Sequence, residues 1–319
     1  MTGRAKKCCI FFIASTWLLL CRILLANLDL ADNYSDWLFV LLAQVIGMGV
    51  IPLTLYKFWV KEDVLTGLSI KPEKKIPLAV WGLTIIAAFL TAFVTRGVSI
   101  VWQTVIRMFG YTHVNSVGTI YSDVGVLLMD ILATAILPAL FEELTDRGLL
   151  SSALGGMDDR VKVVLIAIFF GLAHQNIVQT GYTFAAGLVF AYLLVTTKSI
   201  FPGVIVHFVN NFLSVLSNYS EQNNGWYGKF VDLYYAFVNK FFFLAFLIWV
   251  AAGVALFFLL RYLGSVMKKE NRSDPVPTAS ENVAESAQAS AWYEYAFLYG
   301  AGTMMLLTTA FTMIWGIWR

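Results

Sequence analysis

Nine long apolar runs divide the chain, and polar or charged segments separate them. A helix needs roughly 17–25 predominantly apolar residues to cross a bilayer, and in lipid it must satisfy its own backbone hydrogen bonds. The runs therefore predict an all-α, polytopic integral membrane helix bundle with about eight or nine transmembrane helices, the run at 181–197 being short. The runs lie at 10–28, 37–59, 77–104, 124–149, 161–178, 181–197, 200–217, 232–262 and 292–317.

Composition agrees with a membrane protein. The 319 residues are 59% hydrophobic and only 13% charged, whereas a soluble domain carries roughly 25% charged residues. The first run is longer than the apolar part of a signal peptide and lacks a small-residue cleavage site, so we expect it to be a retained span. The net charge of +2 gives no reason to expect a nucleic acid partner. We expect the lipid bilayer and a membrane-associated peptide or protein as partners.

Basic residues concentrate in every second loop, and the loops between them are poor in Lys and Arg. Because cytoplasmic loops carry an excess of Lys and Arg, this alternation predicts a cytoplasmic N-terminus and an exterior C-terminus. We expect a multi-pass protein of the plasma (cell) membrane. The basic residues are Arg4, Lys6 and Lys7, then Lys57, Lys61, Lys71, Lys74 and Lys75, then Arg160, Lys162, Lys198, Arg261, Lys268, Lys269 and Arg272.

Charged residues close the fourth apolar run, where Glu142 and Glu143 are followed by Arg147. Such groups are expensive at membrane depth and usually face a bundle interior or a water-filled cavity. On a helix Glu143 and Arg147 are i,i+4 neighbours and can pair, whereas Glu142 points about 100° away and stays free. A free carboxylate beside a paired one suits a general base. The alternative is that all three side chains lie at a lipid interface with their charges in water.

Two histidines lie within apolar runs, each with a partner four residues away. Phe170 and His174 share one helix face, as do His207 and Asn211. An imidazole or amide in hydrocarbon needs a hydrogen-bond partner, so each should face the bundle. The turn near residues 156–160 lies midway between Glu143 and His174, which places them at the same height in a helical hairpin. A packing role between helices is the alternative for each histidine.

Three motifs in this order resemble the CAAX-processing and bacteriocin-processing (CPBP, Abi-type) intramembrane protease family. They are Glu-Glu-x-x-x-Arg at 142–147, Phe-x-x-x-His at 170–174 and His-x-x-x-Asn at 207–211. Asp146 departs from the family pattern, which commonly has an aromatic residue there. The resemblance implies an intramembrane endopeptidase acting on a membrane-associated peptide or protein. It also implies a wet cavity that is reached from the cytoplasmic side or laterally from lipid.

The resemblance also implies roles for individual residues. Glu142, helped by His174, would activate a water molecule as general base. His207 and Asn211 would donate hydrogen bonds to the oxyanion that forms at the scissile carbonyl. In a supporting role, Glu143 would pair with Arg147 and fix the helix, and Phe170 would pack beside His174.

Two alternatives stay open beside this hypothesis. Two histidines and a glutamate can hold a catalytic zinc ion, although Asn211 is a poor zinc ligand. We therefore expect no cofactor, with a zinc-dependent version of the same protease as the rival. The other alternative is a catalytically idle membrane scaffold, such as an immunity or regulatory protein that binds a partner.

These patterns divide the chain into five parts. Residues 1–119 form N-terminal transmembrane helices, and 120–218 form the CPBP-like catalytic core. Residues 219–263 hold the eighth helix with its preceding loop, 264–291 a flexible linker, and 292–319 a C-terminal transmembrane helix. The linker is rich in Ser, Ala, Glu and Pro and has no apolar period. His113, in the loop before the core, is expected to be solvated.

Overall fold

In the computed structural model, which describes residues 1–25, 34–112, 119–273 and 292–318, the described residues form helices and loops with no β-strand. A single helical turn, Val64–Gly67, lies outside the longer helices. The longer helices are α1 (Gly3–Leu25), α2 (Trp37–Val60), α3 (Leu78–Met108), α4 (Val124–Ala153), α5 (Asp159–Ala173), α6 (Ile177–Thr197), α7 (Phe201–Gln222), α8 (Trp226–Lys240), α9 (Phe242–Ser273) and α10 (Ala296–Trp318).

The predicted polytopic helical bundle is confirmed. Helices α1 to α7 follow the first seven apolar runs, and seven helices of the described chain are long and apolar enough to cross a membrane. Helix α5 is not among them because it has only 15 residues, and neither is α7, which carries several polar side chains along its length.

The eighth apolar run forms two helices, whereas one span was predicted. Helices α8 and α9 divide it, because Phe241 leaves the helical conformation with φ −130° and ψ 48°. Helix α9 then continues to Ser273, past residue 264, where we expected the linker to begin. Residues 274–291 of that linker, and His113, lie outside the described residues.

One end of the bundle, called the basic end below, carries the basic residues of the alternating loops. Lys7 Nζ lies 2.7 Å from Glu62 Oε2 in the α2–α3 loop, and Arg4 donates to the carbonyl of Gly155 in the α4–α5 loop. Lys198 after α6 lies 3.6 Å from Asp159 at the start of α5. These contacts bring three loops and the beginning of α1 to the same end of the molecule.

Two prolines inside helices leave carbonyl groups that neighbouring helices satisfy. A proline has no N–H to donate to the carbonyl four residues before it. Pro52 leaves the carbonyl of Met48 without its helical donor, and this carbonyl accepts a hydrogen bond from Thr145 Oγ1 at 2.6 Å. Pro138 in α4 similarly leaves the carbonyl of Thr134 without its helical donor. The helices that carry Pro52 and Pro138 also contain wider, π-helical turns, at Leu41–Val50 and Tyr56–Val60 in α2 and at Ile131–Ile136 and Glu143–Leu149 in α4.

Helix α4 begins directly after Asp123. The Asp123 carboxylate accepts from the Val126 N–H at 3.1 Å and so caps the first helical turn. This backbone hydrogen bond, which stabilises the charged form, lowers the pKa of Asp123 from its usual value. The cap fixes where α4 starts and thereby the positions of the glutamates further along it.

Helices α5 and α6 form a closely packed hairpin. A Cβ at Gly187 would lie 3.0 Å from the Cα of Ala167, and one at Gly171 would lie 3.2 Å from the carbonyl oxygen of Thr180. Small residues allow such close approach of helix backbones. The turn at the end of α5 includes Gln175 with φ 47°, in the left-handed region, and this conformation places His174 at the very end of α5.

Candidate active site

A cavity of about 200 Å³ lies among α2, α4, α5, α6 and α7. The four predicted catalytic residues, Glu142, His174, His207 and Asn211, all line it, and so does Phe170. A liquid water molecule occupies about 30 Å³, so the cavity has room for several. The structure thus brings together side chains from three motifs that are up to 69 residues apart in sequence. Glu143 and Arg147 do not line the cavity but lie behind its wall.

Glu143, Arg147 and His207 form a buried charged cluster. Arg147 Nη1 lies 3.1 Å from Glu143 Oε1, the i,i+4 pair that the sequence spacing predicts, and both side chains are fully buried. His207 Nδ1 lies 3.0 Å from the same Oε1. A carboxylate paired with a guanidinium can only accept a hydrogen bond, so the Nδ1–H of His207 donates to it. Glu143 therefore binds the imidazole by a hydrogen bond and the guanidinium as an ion pair, since no Arg147 side-chain nitrogen has a hydrogen-bond partner among the described residues.

Aromatic rings enclose this cluster. The guanidinium carbon of Arg147 lies 3.9 Å from the ring centroid of Phe170 and 4.9 Å from that of Phe190, within the range of cation–π attraction. Phe190 also stacks on the His207 ring, with centroids 5.1 Å apart and planes inclined by 19°. The rings exclude water, which strengthens the ion pair and makes the loss of either partner costly.

Gly203 lies directly against the cluster. A Cβ at this position would lie 2.7 Å from Glu143 Oε2, closer than real contacts allow. Glu143 Oε2 has no hydrogen-bond partner among the described residues and is completely buried. The first turn of α7 can therefore approach the Glu143 carboxylate only because residue 203 has no side chain.

Glu142 is the carboxylate that faces the cavity. Its Oε1 accepts a hydrogen bond from Gln44 Nε2 of α2 at 2.6 Å, and its Oε2 lies 3.8 Å from His207 Nε2. The side chain is 12% exposed, in contrast to the fully buried Glu143. The motif analysis missed Gln44, and its one signal is the presence of an amide within an apolar run. Gln44 leaves Oε2 of Glu142 free for a water molecule.

The environment of His174 defines which nitrogen faces the cavity. Its Nδ1 lies 3.0 Å from the backbone carbonyl of Phe170, and a carbonyl can only accept, so Nδ1–H is the donor. The Phe170 ring packs edge-on against the His174 ring at 5.1 Å. In the neutral imidazole Nε2 then carries the lone pair. His174 can accept a proton or a hydrogen bond from a water molecule through that nitrogen.

Asn211 differs from its partner His207 in its contacts. Its Nδ2 donates to the carbonyl of Thr134 at 3.0 Å, the carbonyl that Pro138 leaves without its helical donor. The amide has two hydrogens, so one stays available to the cavity. The two residues share a helix face, but His207 is bound to the ion pair and Asn211 to the backbone of α4.

The zinc alternative would use His174, His207 and a glutamate as ligands. Among the residues that the structure describes, no three His, Cys, Asp or Glu side chains are arranged to hold a metal ion. Asp146, where the chain departs from the family pattern, is fully buried, and neither of its carboxylate oxygens has a hydrogen-bond partner among the described residues.

Comparison with known families confirms the resemblance. Residues 124–213 match the family described as type II CAAX prenyl endopeptidase Rce1-like. The matched segment contains α4 to α6 and the part of α7 that carries His207 and Asn211. No curated protein and no solved structure matches the chain. Over these residues the chain is similar to CAAX-type endopeptidases, and the apolar helices indicate a multi-pass membrane protein.

Proposed function

We propose that the protein is an intramembrane endopeptidase that hydrolyses a peptide bond of a membrane-associated peptide or protein with a water molecule activated by Glu142. The observation that carries the proposal is the convergence of Glu142, His174, His207 and Asn211 on one cavity inside the bundle. A packing role would not require a base, a second proton acceptor and two hydrogen-bond donors on the same cavity wall.

Glu142 is the proposed general base. Of the two neighbouring glutamates, only Glu142 reaches the cavity, because Glu143 is held by Arg147 and His207. Gln44 orients the Glu142 carboxylate and leaves Oε2 for the water. His174 would accept a second hydrogen bond from that water through Nε2. A positioned general base contributes typically 10²- to 10⁴-fold to a rate.

His207 and Asn211 are the proposed donors to the oxyanion. His207 already donates Nδ1–H to Glu143, so it can also donate from Nε2 only when both nitrogens carry a proton. Asn211 would use the Nδ2 hydrogen that Thr134 does not accept. A single donor of this kind is worth roughly 3–4 kcal/mol in the transition state.

The proton balance closes without a further group. Glu142 takes one proton from water while the water oxygen attacks the scissile carbonyl carbon, and the carbonyl oxygen becomes the oxyanion. When the tetrahedral intermediate collapses, the C–N bond breaks and protonated Glu142 gives its proton to the leaving amine. The products are a carboxylic acid and an amine; the acid then gives its proton to the amine to form a carboxylate and an ammonium group, and Glu142 is again ionised. We extend only this peptide-bond chemistry to the chain and not the prenyl specificity in the family's description.

The test is cleavage of membrane-tethered peptides by the purified protein in liposomes. We expect Glu142→Ala and His174→Ala to abolish cleavage while both variants stay folded and inserted. Full activity in both variants would remove the assignment from these residues. A wild-type protein that binds but never cleaves would favour the scaffold alternative. Stoichiometric zinc, with activity lost on chelation and restored by zinc, would replace the metal-free mechanism with a metal-dependent one.

A further inference from the structure

We infer that the cavity opens away from the basic end, so that substrate and water reach Glu142 from the exterior half of the membrane. The substrate class would be a membrane-anchored polypeptide whose scissile bond lies in that exterior half. The substrate part of this inference rests on the proposed function, whereas the direction of access rests on geometry alone. It replaces the cytoplasmic route that the resemblance implies.

The basic end of the bundle is closed beneath the charged cluster. Leu68, Leu149, Leu150 and Leu154 are fully buried there. The α2–α3 loop fills the space between α4 and the α6–α7 turn: the Ile200 N–H donates to the carbonyl of Ser69 at 3.0 Å. The carbonyl oxygen of Leu68 would lie only 2.8 Å from a Cβ at Gly148, so backbone packs on backbone with no gap.

The residues that line the cavity lie on the other side of Glu142. On α4 the other lining residues are Ala133, Thr134 and Pro138, all further from the basic end than Glu142. On α7 they are His207 and two residues beyond it, and none lies nearer the start of the helix. Val40 of α2 also lines the cavity and lies near the end of α2 that is remote from the basic end. On α2, α4 and α7 the cavity therefore extends away from the basic end, and on α6 it reaches as far as Phe190, which stacks on His207.

The α5–α6 turn lies below the remote ends of α3 and α10. Trp102 Nε1 donates to the carbonyl of Ile177 at 2.6 Å, and the Ile177 N–H donates to Thr312 Oγ1 at 2.9 Å. Trp102 and Thr312 each lie six residues before the remote ends of their helices, α3 and α10. At 1.5 Å per residue the turn lies about 9 Å below those ends. His174, which ends α5, therefore lies below the remote ends of α3 and α10.

Charge decides which face is exterior. The loops at the basic end carry most of the Lys and Arg of the chain, and such loops stay in the cytoplasm. The remote face is then exterior. A peptide that enters from the cytoplasm would have to displace the buried leucines and the α2–α3 loop. One anchored in the exterior leaflet approaches the side of Glu142 on which Ala133, Thr134 and Asn211 line the cavity.

Two positions on α6 give a matched test of access. Tyr182 lines the cavity, and Thr196 lines a separate groove of about 690 Å³ at the basic end. The two lie fourteen residues apart on one helix, about 21 Å along its axis. In a background without Cys8, Cys9 and Cys21, single Tyr182→Cys and Thr196→Cys variants would be treated with a charged, membrane-impermeant methanethiosulfonate. Right-side-out and inside-out vesicles would be compared.

We expect Tyr182→Cys to react in right-side-out vesicles only and Thr196→Cys in inside-out vesicles only. Val40→Cys, on another helix, provides a second cavity position if Tyr182→Cys does not fold, and it should behave like Tyr182→Cys. Reaction of the cavity cysteines only in inside-out vesicles, or in neither preparation, would overturn the inference. Labelling needs no peptidase activity, so failure of this access route and failure of the proposed function are distinguishable.

Discussion

Substitution of Arg147 by Met should destabilise the protein strongly while leaving the helix propensity of α4 intact. Arg147 is fully buried, with Nη1 3.1 Å from Glu143 Oε1 and its guanidinium over the Phe170 ring. Removing it leaves the Glu143 carboxylate buried and without its cation. Breaking a buried pair from one side costs about 3–5 kcal/mol, whereas removing both charges is often nearly neutral. Glu143→Gln combined with Arg147→Met should therefore be more stable than Arg147→Met alone.

The assay is reversible unfolding in mixed micelles, with the free energy of unfolding extracted for each variant. Arg160→Met is the matched control: Arg160 is exposed at the first turn of α5, and a surface substitution of this kind changes stability by less than about 0.5 kcal/mol. The reasoning fails if Arg147→Met is as stable as Arg160→Met. It also fails if the double variant loses the sum of the two single losses, since the side chains would then be independent.

Two further variants test the surroundings of the glutamates. Gln44→Met removes the hydrogen bond to Glu142. Because hydrogen bonds to charged groups are worth about 1.5–3 kcal/mol, we expect kcat to fall while KM stays unchanged. Equal activity of Gln44→Met and the control Gln103→Met would contradict this. Gly203→Ala should cost about 1–3 kcal/mol because its methyl group would overlap Glu143 Oε2. Gly253→Ala, inside α9 with open space around it, should lose no stability by the same measurement. Equal stability of the two alanine variants would refute the close contact.

The helices could be predicted from the sequence because lipid imposes a length and a composition on every span. The break at Phe241 was missed: Asn239 and Lys240 directly precede it, but aromatic residues lie on both sides and neither Pro nor Gly marks it. The extension of α9 to Ser273 was also missed, since polar residues continue a helix beyond the membrane as readily as they form a linker. Composition indicates what lies in lipid but not where a helix ends in water.

For the candidate site, the sequence could predict which residues share one face of a helix. The i,i+4 spacing predicts the pair of Glu143 with Arg147, and their atoms lie within ion-pair distance. The same spacing places His207 and Asn211 on one helix face. Contacts between helices, however, cannot be predicted from the sequence of either helix alone. Whether His207 faces Glu143, or Gln44 faces Glu142, depends on how α2, α4 and α7 pack. That packing required the structure.

The most direct test of the central claim is the rate at which purified protein in liposomes cleaves a membrane-tethered peptide, compared between wild type and Glu142→Gln. Glutamine keeps the size of the side chain and its place beside Gln44 but cannot take a proton from water. We expect the Glu142→Gln rate to fall by about 10²- to 10⁴-fold while the protein remains folded. Glu62→Gln, which changes a glutamate in the α2–α3 loop, should cleave at the wild-type rate. Cleavage by Glu142→Gln at the wild-type rate would contradict the account.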